Sequence, residues 1–306
     1  MYYIGFDIGG TKCAVSVGKI QGDDISVIER KEVATKGDPY VTLGELAPFV
    51  KEWTERYGAR RAGVSCGGPL DVKGGIILSP PNLAKGWYGF EILAYIKSQF
   101  GLDGTLENDA NASAIAEWKF GAGKGAENVI FMTFGTGLGA GLILNGRLYS
   151  GTNGNAGEVG HLRLENDGPV GYNKAGSAEG FCSGGGIAQL ARLRAKEKGI
   201  TIDELVNTKA VFEKAKSGDE FFLSVVRESA EQFARVLSLL IDLFNPEVIA
   251  VGGVFMRNYD LLMSFIAPIV ERESLSASAS VCRILPAMIG EQIGDYAALA
   301  LAASQE

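Results

Sequence analysis

Two glycine-rich turns carry the residue pattern that binds anions through backbone amides. They lie in residues 4–12 (IGFDIGGTK) and residues 129–141 (VIFMTFGTGLGAG). Runs of β-branched and aromatic residues flank each turn, which indicates a strand, a tight turn and a second strand. Closely spaced backbone N–H groups form a concave site of positive potential, and phosphate is the obvious ligand. Two ordinary glycine hairpins would give the same local pattern.

Asp7 stands at the end of the first predicted strand, directly before the Gly9-Gly10 pair. A carboxylate in this position could hold Mg²⁺, directly or through water, and the metal would bridge nucleotide phosphates. The turn is not a Walker loop, because the upstream glycine spacing and the following helix are missing. The expected phosphate clasp is therefore a pair of hairpins.

Asp109 follows a predicted strand and opens a predicted helix. Ligands of open α/β sheets collect at the carboxyl ends of strands. Phosphoryl transfer to a hydroxyl requires a group that accepts the hydroxyl proton, and Asp109 suits this role. Asn108 could hydrogen-bond a polyol. From the local sequence alone, a helix N-cap is the simpler interpretation of Asp109.

Glu158 and His161 lie in a long, polar, glycine-rich segment, residues 150–186, in which we predict a loop. His161 is the only histidine of the chain. A single histidine without nearby cysteines is a poor metal site and is more often structural. A carboxylate and an imidazole are also natural partners for the hydroxyls of a sugar, so both interpretations stay open here.

Composition narrows the class of protein. The chain has 306 residues and a formal net charge of −7, with no basic stripe, which disfavours nucleic acid as a partner. The sequence contains neither a bilayer-spanning apolar stretch nor a signal segment, so we expect a cytoplasmic protein without membrane contact. The cysteines form no CxxC pair and are read as small buried residues: Cys13, Cys66, Cys182 and Cys282.

Strands and helices alternate along the chain, which predicts an α/β fold. The length suits two domains. We predict strands at residues 25–33, 62–65, 105–107 and 248–251, besides the two hairpins. We predict helices at residues 43–57, 90–100, 110–120, 187–198, 219–244 and 292–303.

Taken together, these segments resemble the ROK family of sugar kinases and sugar-responsive regulators, within the actin/hexokinase-like ATPase superfamily. The resemblance runs nearly from end to end. It rests on residues 7–12 (DIGGTK), 67–69 (GGP) with Asn82, Leu83 and Trp87, 107–112 (ENDANA), 135–139 (GTGLG), 158–161 (EVGH) and 252–253 (GG).

The resemblance implies a two-domain, duplicated ribonuclease H-like fold with an interdomain cleft. The expected domains are residues 1–109 with 291–306, and residues 110–290. The implied activity is transfer of the ATP γ-phosphoryl group, with Mg²⁺, to a hydroxyl of a hexose such as glucose or a related (N-acetyl)hexosamine. The family context favours the 6-hydroxyl. A homodimer or homotetramer is also implied.

The resemblance also assigns roles to residues. Asp109 would be the general base. The nucleotide and phosphates would contact Asp7, Gly9, Gly10, Thr11, Lys12, Gly135, Thr136, Gly137, Gly252 and Gly253. The sugar would contact Gly68, Pro69, Asn82, Asn108, Asp109, Glu158, His161 and Glu179. For Lys12, a solvated strand residue remains the alternative.

One segment departs from the family pattern. Many members bind a structural zinc ion with the histidine of the EVGH segment and a cysteine-rich loop. The corresponding residues 171–179 (GYNKAGSAE) contain no cysteine and are one residue shorter, and Cys182 is alone nearby. Gly171, Asn173 and Ser177 cannot replace three thiolates. We therefore expect no zinc, a loop ordered by its own hydrogen bonds and packing, and a histidine that serves the sugar.

Two other classes of protein fit the sequence less well. Repressors of this family carry a helix-turn-helix ahead of the first phosphate motif, and here Met1 lies six residues before Asp7. We therefore expect no DNA-binding domain. A non-catalytic sugar-binding regulator is disfavoured because Asp7, Asp109 and both glycine turns are intact.

Overall fold

The computed structural model describes residues 1–304, which form two compact units. The first comprises Met1–Gly125, Leu148–Asn155 and Met288–Glu306. The second comprises Ala126–Arg147 and Ala156–Ala287. Each unit contains one five-stranded sheet.

The strands are β1 (Tyr2–Ile8), β2 (Lys12–Gln21), β3 (Asp24–Ala34), β4 (Arg61–Cys66), β5 (Leu70–Asp71), β6 (Ile76–Ile77), β7 (Asp103–Asn108), β8 (Val129–Phe134), β9 (Leu138–Leu144), β10 (Arg147–Leu148), β11 (Val170–Gly171), β12 (Lys174–Ala175), β13 (Val248–Val251) and β14 (Arg283–Pro286).

The helices are α1 (Pro39–Tyr57), α2 (Ile92–Phe100), α3 (Asp109–Phe120), α4 (Ala178–Phe181), α5 (Gly184–Lys198), α6 (Thr208–Lys216), α7 (Glu220–Phe244), α8 (Val254–Arg257), α9 (Tyr259–Glu273), α10 (Ser276–Ala279) and α11 (Ile293–Ala303). No helix within residues 1–304 has both the length and the apolar character of a bilayer span.

The two sheets repeat one topology. The strand order is β3-β2-β1-β4-β7 in the first sheet and β10-β9-β8-β13-β14 in the second. In each, an antiparallel hairpin is followed across the sheet by two strands parallel to its first member. The predicted duplication of a hairpin-bearing α/β unit is thus confirmed. The inner strands β1 and β8 are almost continuously buried, as expected of strands covered on both faces.

Helix α7 illustrates how local signals set the elements. Asp219 caps it by accepting hydrogen bonds from the amides of Phe221 and Phe222. Asn245, with a φ of 46°, ends it just before Pro246. Its apolar face packs against α9 and the second sheet's core. The predicted bounds, residues 219–244, differ from the observed helix by one capping residue.

The boundary between the units differs from the predicted domains, residues 1–109 with 291–306 and residues 110–290. The first unit runs on to Gly125 and also includes Leu148–Asn155 and Met288–Glu306. Helix α3 belongs to it because its small buried residues pack against α11. The alanines that permit this close packing are Ala110, Ala112, Ala114 and Ala116.

The segment 150–186, which we predicted as a loop, contains regular structure. It holds a short 3-10 helix at Val159–His161, the β11–β12 hairpin and α4. Helix α5 begins at Gly184, three residues before the predicted start, because the Ser183 hydroxyl caps it by accepting from the Gly186 amide.

Candidate active site

The carboxyl ends of three parallel strands bring the first group of predicted site residues to one edge. Ile8 of β1 pairs with Cys66 of β4, and Cys66 pairs with Asn108 of β7. The Gly9–Gly10 turn, the Gly67–Pro69 segment and Asp109 therefore all emerge at this edge. Such an edge is where open α/β sheets bind ligands.

Backbone hydrogen bonds shape the first glycine turn. The Gly9 amide donates to the Lys12 carbonyl at 3.0 Å. Thr35, the residue directly after β3, holds the turn from the side, because its hydroxyl donates to the Gly9 carbonyl at 2.6 Å and its amide to the Thr11 carbonyl at 2.9 Å. Gly10 and Thr11 are exposed. These hydrogen bonds hold the backbone on either side of the exposed Gly10.

Lys12 is held by a partner on its own sheet. Its Nζ lies 2.6 Å from Glu32 Oε1, and the lysine side chain is 65% exposed. In the structure Lys12 is therefore an exposed, ion-paired strand residue, which corresponds to the alternative interpretation given above. A role of Lys12 at the phosphates remains a prediction.

The predicted sugar segment of the first unit packs against the same turn. A Cβ at Gly10 would overlap the Asn82 carbonyl oxygen, and one at Gly67 would lie 3.3 Å from Asn82 Nδ2. A Cβ at Gly68 would lie 3.5 Å from Asn108 Nδ2. Gly10 therefore permits the close approach of Asn82, whereas a Cβ at Gly68 would make only an ordinary contact with Asn108. The Gly68–Pro69 peptide bond at this point is cis.

Asp109 is the first residue of α3. Asn108 is the N-cap, since its side-chain oxygen accepts from the Ala110 amide at 3.0 Å. The Asp109 carboxylate also accepts from the Ala110 amide, at 2.9 Å, and the residue is exposed. A helix N-terminus stabilises a negative charge placed there. The capping role therefore falls to Asn108, and the Asp109 carboxylate lies at the strand-to-helix junction.

Glu107 is a supporting residue that sequence reasoning missed. Its buried carboxylate oxygen Oε1 accepts from the Asn108 amide at 2.8 Å and from Asn111 Nδ2 at 3.0 Å. Burial raises the pKa of Glu107, and these two hydrogen bonds oppose the rise. The bonds tie the end of β7 to the first turn of α3. A glutamate in a predicted strand, four residues before an asparagine, was the available signal.

Asp7 lies among other charges of the first unit. Burial, then the carboxylates of Asp295 and Asp109, raise its pKa from an ordinary 3.8 to about 6, while Arg30 opposes the rise. Glu32 raises the pKa to a smaller extent. Arg30 Nε donates to Asp295 Oδ2 at 2.7 Å. Carboxylate oxygens are the ligands that Mg²⁺ prefers, so the donors at this edge fit Mg²⁺.

The raised pKa of Asp7 leads to a prediction about the ligand-free protein. A folded-state pKa above the unfolded value means that stability is lost as the pH rises from about 4 through about 6. This rise in pKa corresponds to roughly 3 kcal/mol. Asp7→Asn should therefore raise the thermal midpoint at pH 8 (about two pH units above this pKa) and leave it nearly unchanged at pH 4. A difference between the two proteins that is constant across this pH range would contradict the assignment.

The second unit brings its own predicted residues together. The Gly135 amide donates to the Gly137 carbonyl at 3.0 Å, which forms the second glycine turn, and Thr136 is exposed at its tip. The Gly252 amide donates to the Met132 carbonyl at 2.9 Å. At Gly253, φ is 67° and a Cβ would overlap the Phe134 carbonyl oxygen, so only glycine fits this approach.

Helix α5 adds a feature that sequence reasoning missed. Its first amide, that of Gly184, donates to the Gly135 carbonyl at 2.7 Å. The N-terminus of α5 therefore packs directly on the second glycine turn. The run Ser183-Gly184-Gly185-Gly186 was the available signal, since small residues permit such an approach.

The sugar residues predicted in the second unit lie around the β11–β12 hairpin. Glu158 accepts from the Tyr172 hydroxyl at 2.9 Å, and the His161 ring packs edge-to-face against Tyr172. Glu179 Oε2 accepts from the Leu138 amide at 3.1 Å, so this carboxylate is joined to the second glycine turn. Tyr172 is a neighbour that sequence reasoning missed.

The donors of this hairpin do not fit a zinc site. The Ser177 hydroxyl lies 3.1 Å from the amides of Gly171 and Gly180 and donates to the Gly171 carbonyl at 3.0 Å. Within residues 1–304, no three His, Cys, Asp or Glu side chains are grouped to hold a metal ion. Where zinc-binding members of the family have three thiolates, this hairpin has a serine hydroxyl that is already bonded to the backbone and residues that carry no thiol. The absence of zinc itself remains a prediction.

The duplicated sheet topology defines the class of this protein as actin/hexokinase-like, and solved structures agree. A ROK hexokinase from Thermus thermophilus superposes with a TM-score of 0.81 at 28% identity, covering 98% of each chain. A ROK glucokinase from Streptomyces griseus, in complex with glucose and AMPPNP, superposes with a TM-score of 0.79 at 30% identity, covering 99% of each chain.

Sequence comparison identifies the family. The ROK family model matches residues 3–305, and the chain belongs to this family. A glucokinase from Halalkalibacterium halodurans is 29% identical, over 96% of this chain and 92% of its own. A xylose repressor from Bacillus spizizenii is 24% identical, over 95% of this chain and 74% of its own. The relatives of this chain thus include both a glucokinase and a repressor.

Proposed function

We propose that this chain is an ATP-dependent sugar kinase that transfers the γ-phosphoryl group to the 6-hydroxyl of glucose or of a related (N-acetyl)hexosamine. The observation that carries the proposal is the position of Asp109. Its carboxylate opens α3 at the carboxyl edge of three parallel strands, beside Asn108 and the first glycine turn. The glucokinase relatives and the neighbour bound to glucose and AMPPNP support a kinase that uses ATP and a glucose-like sugar.

The proposed chemistry assigns a step to each group of this chain. Asp109 accepts the proton of the sugar hydroxyl while the oxygen of that hydroxyl attacks the γ-phosphorus. The bond between the γ-phosphorus and the leaving oxygen of ADP breaks. Asn82 and Asn108 hold other hydroxyls in the first unit, and Glu158, His161 and Glu179 do so in the second. The backbone of the two glycine turns binds phosphate oxygens.

Mg²⁺ and the assembly belong to the proposal as well. Asp7 would hold Mg²⁺, directly or through water, and the ion would neutralise charge on the β- and γ-phosphates. We propose a homodimer or homotetramer by analogy with the family. We also propose a cytoplasmic location, for which the four free cysteines among the described residues are the support.

A non-catalytic, sugar-binding regulator is the second candidate, and the similarity to the xylose repressor favours it. The kinase and the regulator would both bind sugar, but only the kinase would phosphorylate it. The intact acids Asp7 and Asp109 favour the kinase, because a regulator needs no proton acceptor.

The test is an ADP-release assay across a panel of hexoses and N-acetylhexosamines with ATP and Mg²⁺. We expect sugar-dependent ADP formation with at least one sugar, and a product that carries phosphate on the 6-oxygen. The 6-deoxy form of that sugar is the matched control and should bind without being phosphorylated. Calorimetric sugar binding without turnover on any sugar would favour the regulator and refute the kinase.

A further inference from the structure

Tyr172 occupies a position where the backbone disfavours its side chain. It forms the two-residue turn of the β11–β12 hairpin with Asn173, and the φ angles of the two residues are 52° and 55°. Such a turn prefers glycine, asparagine and aspartate. Asparagine is ordinary in this region, whereas an aromatic residue with positive φ is uncommon. The turn alone therefore does not explain why a tyrosine stands at this position.

Three groups of Tyr172 contact three different residues. Its hydroxyl donates to Glu158 Oε2 at 2.9 Å, and its backbone amide donates to Glu179 Oε1 at 3.2 Å. Its ring lies edge-to-face with His161, with 5.6 Å between the ring centroids and an interplanar angle of 83°. Gly160 makes room, since a Cβ there would lie 3.0 Å from the tyrosine ring.

Hydrogen bonds join the hairpin that carries Tyr172 to the segment that contains His161. Lys174 Nζ donates to the His161 carbonyl at 2.7 Å, and Arg163 Nη1 donates to the Ala175 carbonyl at 2.8 Å. The Ser177 hydroxyl is bonded to both backbone groups of Gly171. These hydrogen bonds therefore hold the turn against the short 3-10 helix at Val159–His161.

We propose that Tyr172 is the positioning residue for the sugar-binding side chains of the second unit. The inference deepens the proposed function and rests on it, because it takes Glu158, His161 and Glu179 as the sugar contacts. Glu158 is exposed, and an exposed carboxylate samples several rotamers. A donor fixed on Oε2 selects one rotamer and leaves Oε1 to accept from a sugar hydroxyl.

The arrangement also links the sugar side to the nucleotide side within this unit. Glu179 Oε1 accepts from Tyr172, while Oε2 accepts from the Leu138 amide, the first residue of β9 after the second glycine turn. Both oxygens thus have backbone donors, and each retains a lone pair for a further donor. Tyr172 therefore fixes one end of a carboxylate whose other end lies on the proposed phosphate turn.

The experiment compares Tyr172→Phe with Tyr259→Phe. Tyr259 is the matched control, because its hydroxyl donates to a backbone carbonyl of the same unit, that of Ile284, at 3.3 Å. For Tyr172→Phe we expect the KM for the sugar to rise about tenfold, the scale of one charge-assisted hydrogen bond, with the KM for ATP and the thermal midpoint little changed. Tyr259→Phe should leave both KM values at the wild-type level.

A double-mutant cycle separates positioning from general packing. If Tyr172 acts through Glu158, the double variant Tyr172→Phe/Glu158→Ala should have the same sugar KM as Glu158→Ala alone. Additive effects of the two changes, or a wild-type sugar KM in Tyr172→Phe, would overturn the inference while leaving the kinase intact. A wild-type protein that phosphorylates no sugar would overturn the proposed function first, before any variant is compared.

Discussion

Replacement of Asp109 by asparagine should lower kcat by about 10²–10⁴-fold while sugar affinity changes only slightly. The amide keeps the size of the carboxylate and one accepting oxygen, but it cannot accept the hydroxyl proton at neutral pH. Asn108 remains the N-cap of α3, so the helix start should be preserved. The loss should therefore fall on the chemical step rather than on binding or folding.

The matched control is Asp103→Asn, at the far end of β7, the strand that leads into Asp109. Asp103 is exposed and pairs with Lys97 at 2.5 Å, at the end of β7 away from the proposed ligand-binding edge. This variant should keep wild-type kcat. Steady-state kinetics give kcat, and calorimetry with sugar alone gives the affinity. An Asp109→Asn enzyme with near-normal turnover would remove Asp109 from the role of base.

Local signals predicted the parts of this protein that depend on nearest neighbours in the chain. Both glycine hairpins were found because flanking β-branched residues and a turn pair suffice to define a hairpin. The junction at Asp109 was found because a strand gives way directly to a helix-forming run. The predicted start of α1, residue 43, was four residues late, although Asp38 as the cap and Pro39 as the first helical residue were the available signal.

Contacts between distant parts of the chain could not be predicted in the same way. Arg30 on β3 bonds Asp295 on α11, two residues separated by 265 positions, and this contact contributes to the charge environment of Asp7. Likewise, nothing local to Tyr172 indicates that its hydroxyl reaches Glu158. Side-chain partners of this kind depend on the packed fold. The sequence therefore predicted the strand ends and turns of the candidate site more readily than the contacts that hold its side chains in place.

Glu117 is the clearest case of such a hidden support. It lies in α3, the helix that Asp109 opens, and its side chain is fully buried. Its Oε2 accepts from the amides of Ala122 and Met288 at 2.8 and 3.1 Å, and its Oε1 accepts from the Ile289 amide at 2.9 Å. One carboxylate thus ties the end of α3 to the segment that leads into α11.

Glu117→Ala should destabilise the first unit by about 3–5 kcal/mol, because backbone donors lose a charged acceptor and a cavity remains. The thermal midpoint should fall by about 10 °C. The thermal midpoint of Glu117→Gln should lie between those of the wild type and Glu117→Ala, since an amide can accept on one side only. Glu45→Ala, an exposed position on α1, is the control and should shift the midpoint very little.

The same variant separates folding from catalysis. Asp109 is placed by Asn108 and Glu107 at the start of α3, whereas Glu117 acts near its end. At 25 °C, where the variant stays folded, kcat should therefore remain within a few-fold of wild type, while thermal inactivation becomes much faster. A loss of kcat as large as that of Asp109→Asn, in a protein with an unchanged midpoint, would show that the far end of α3 also positions the base.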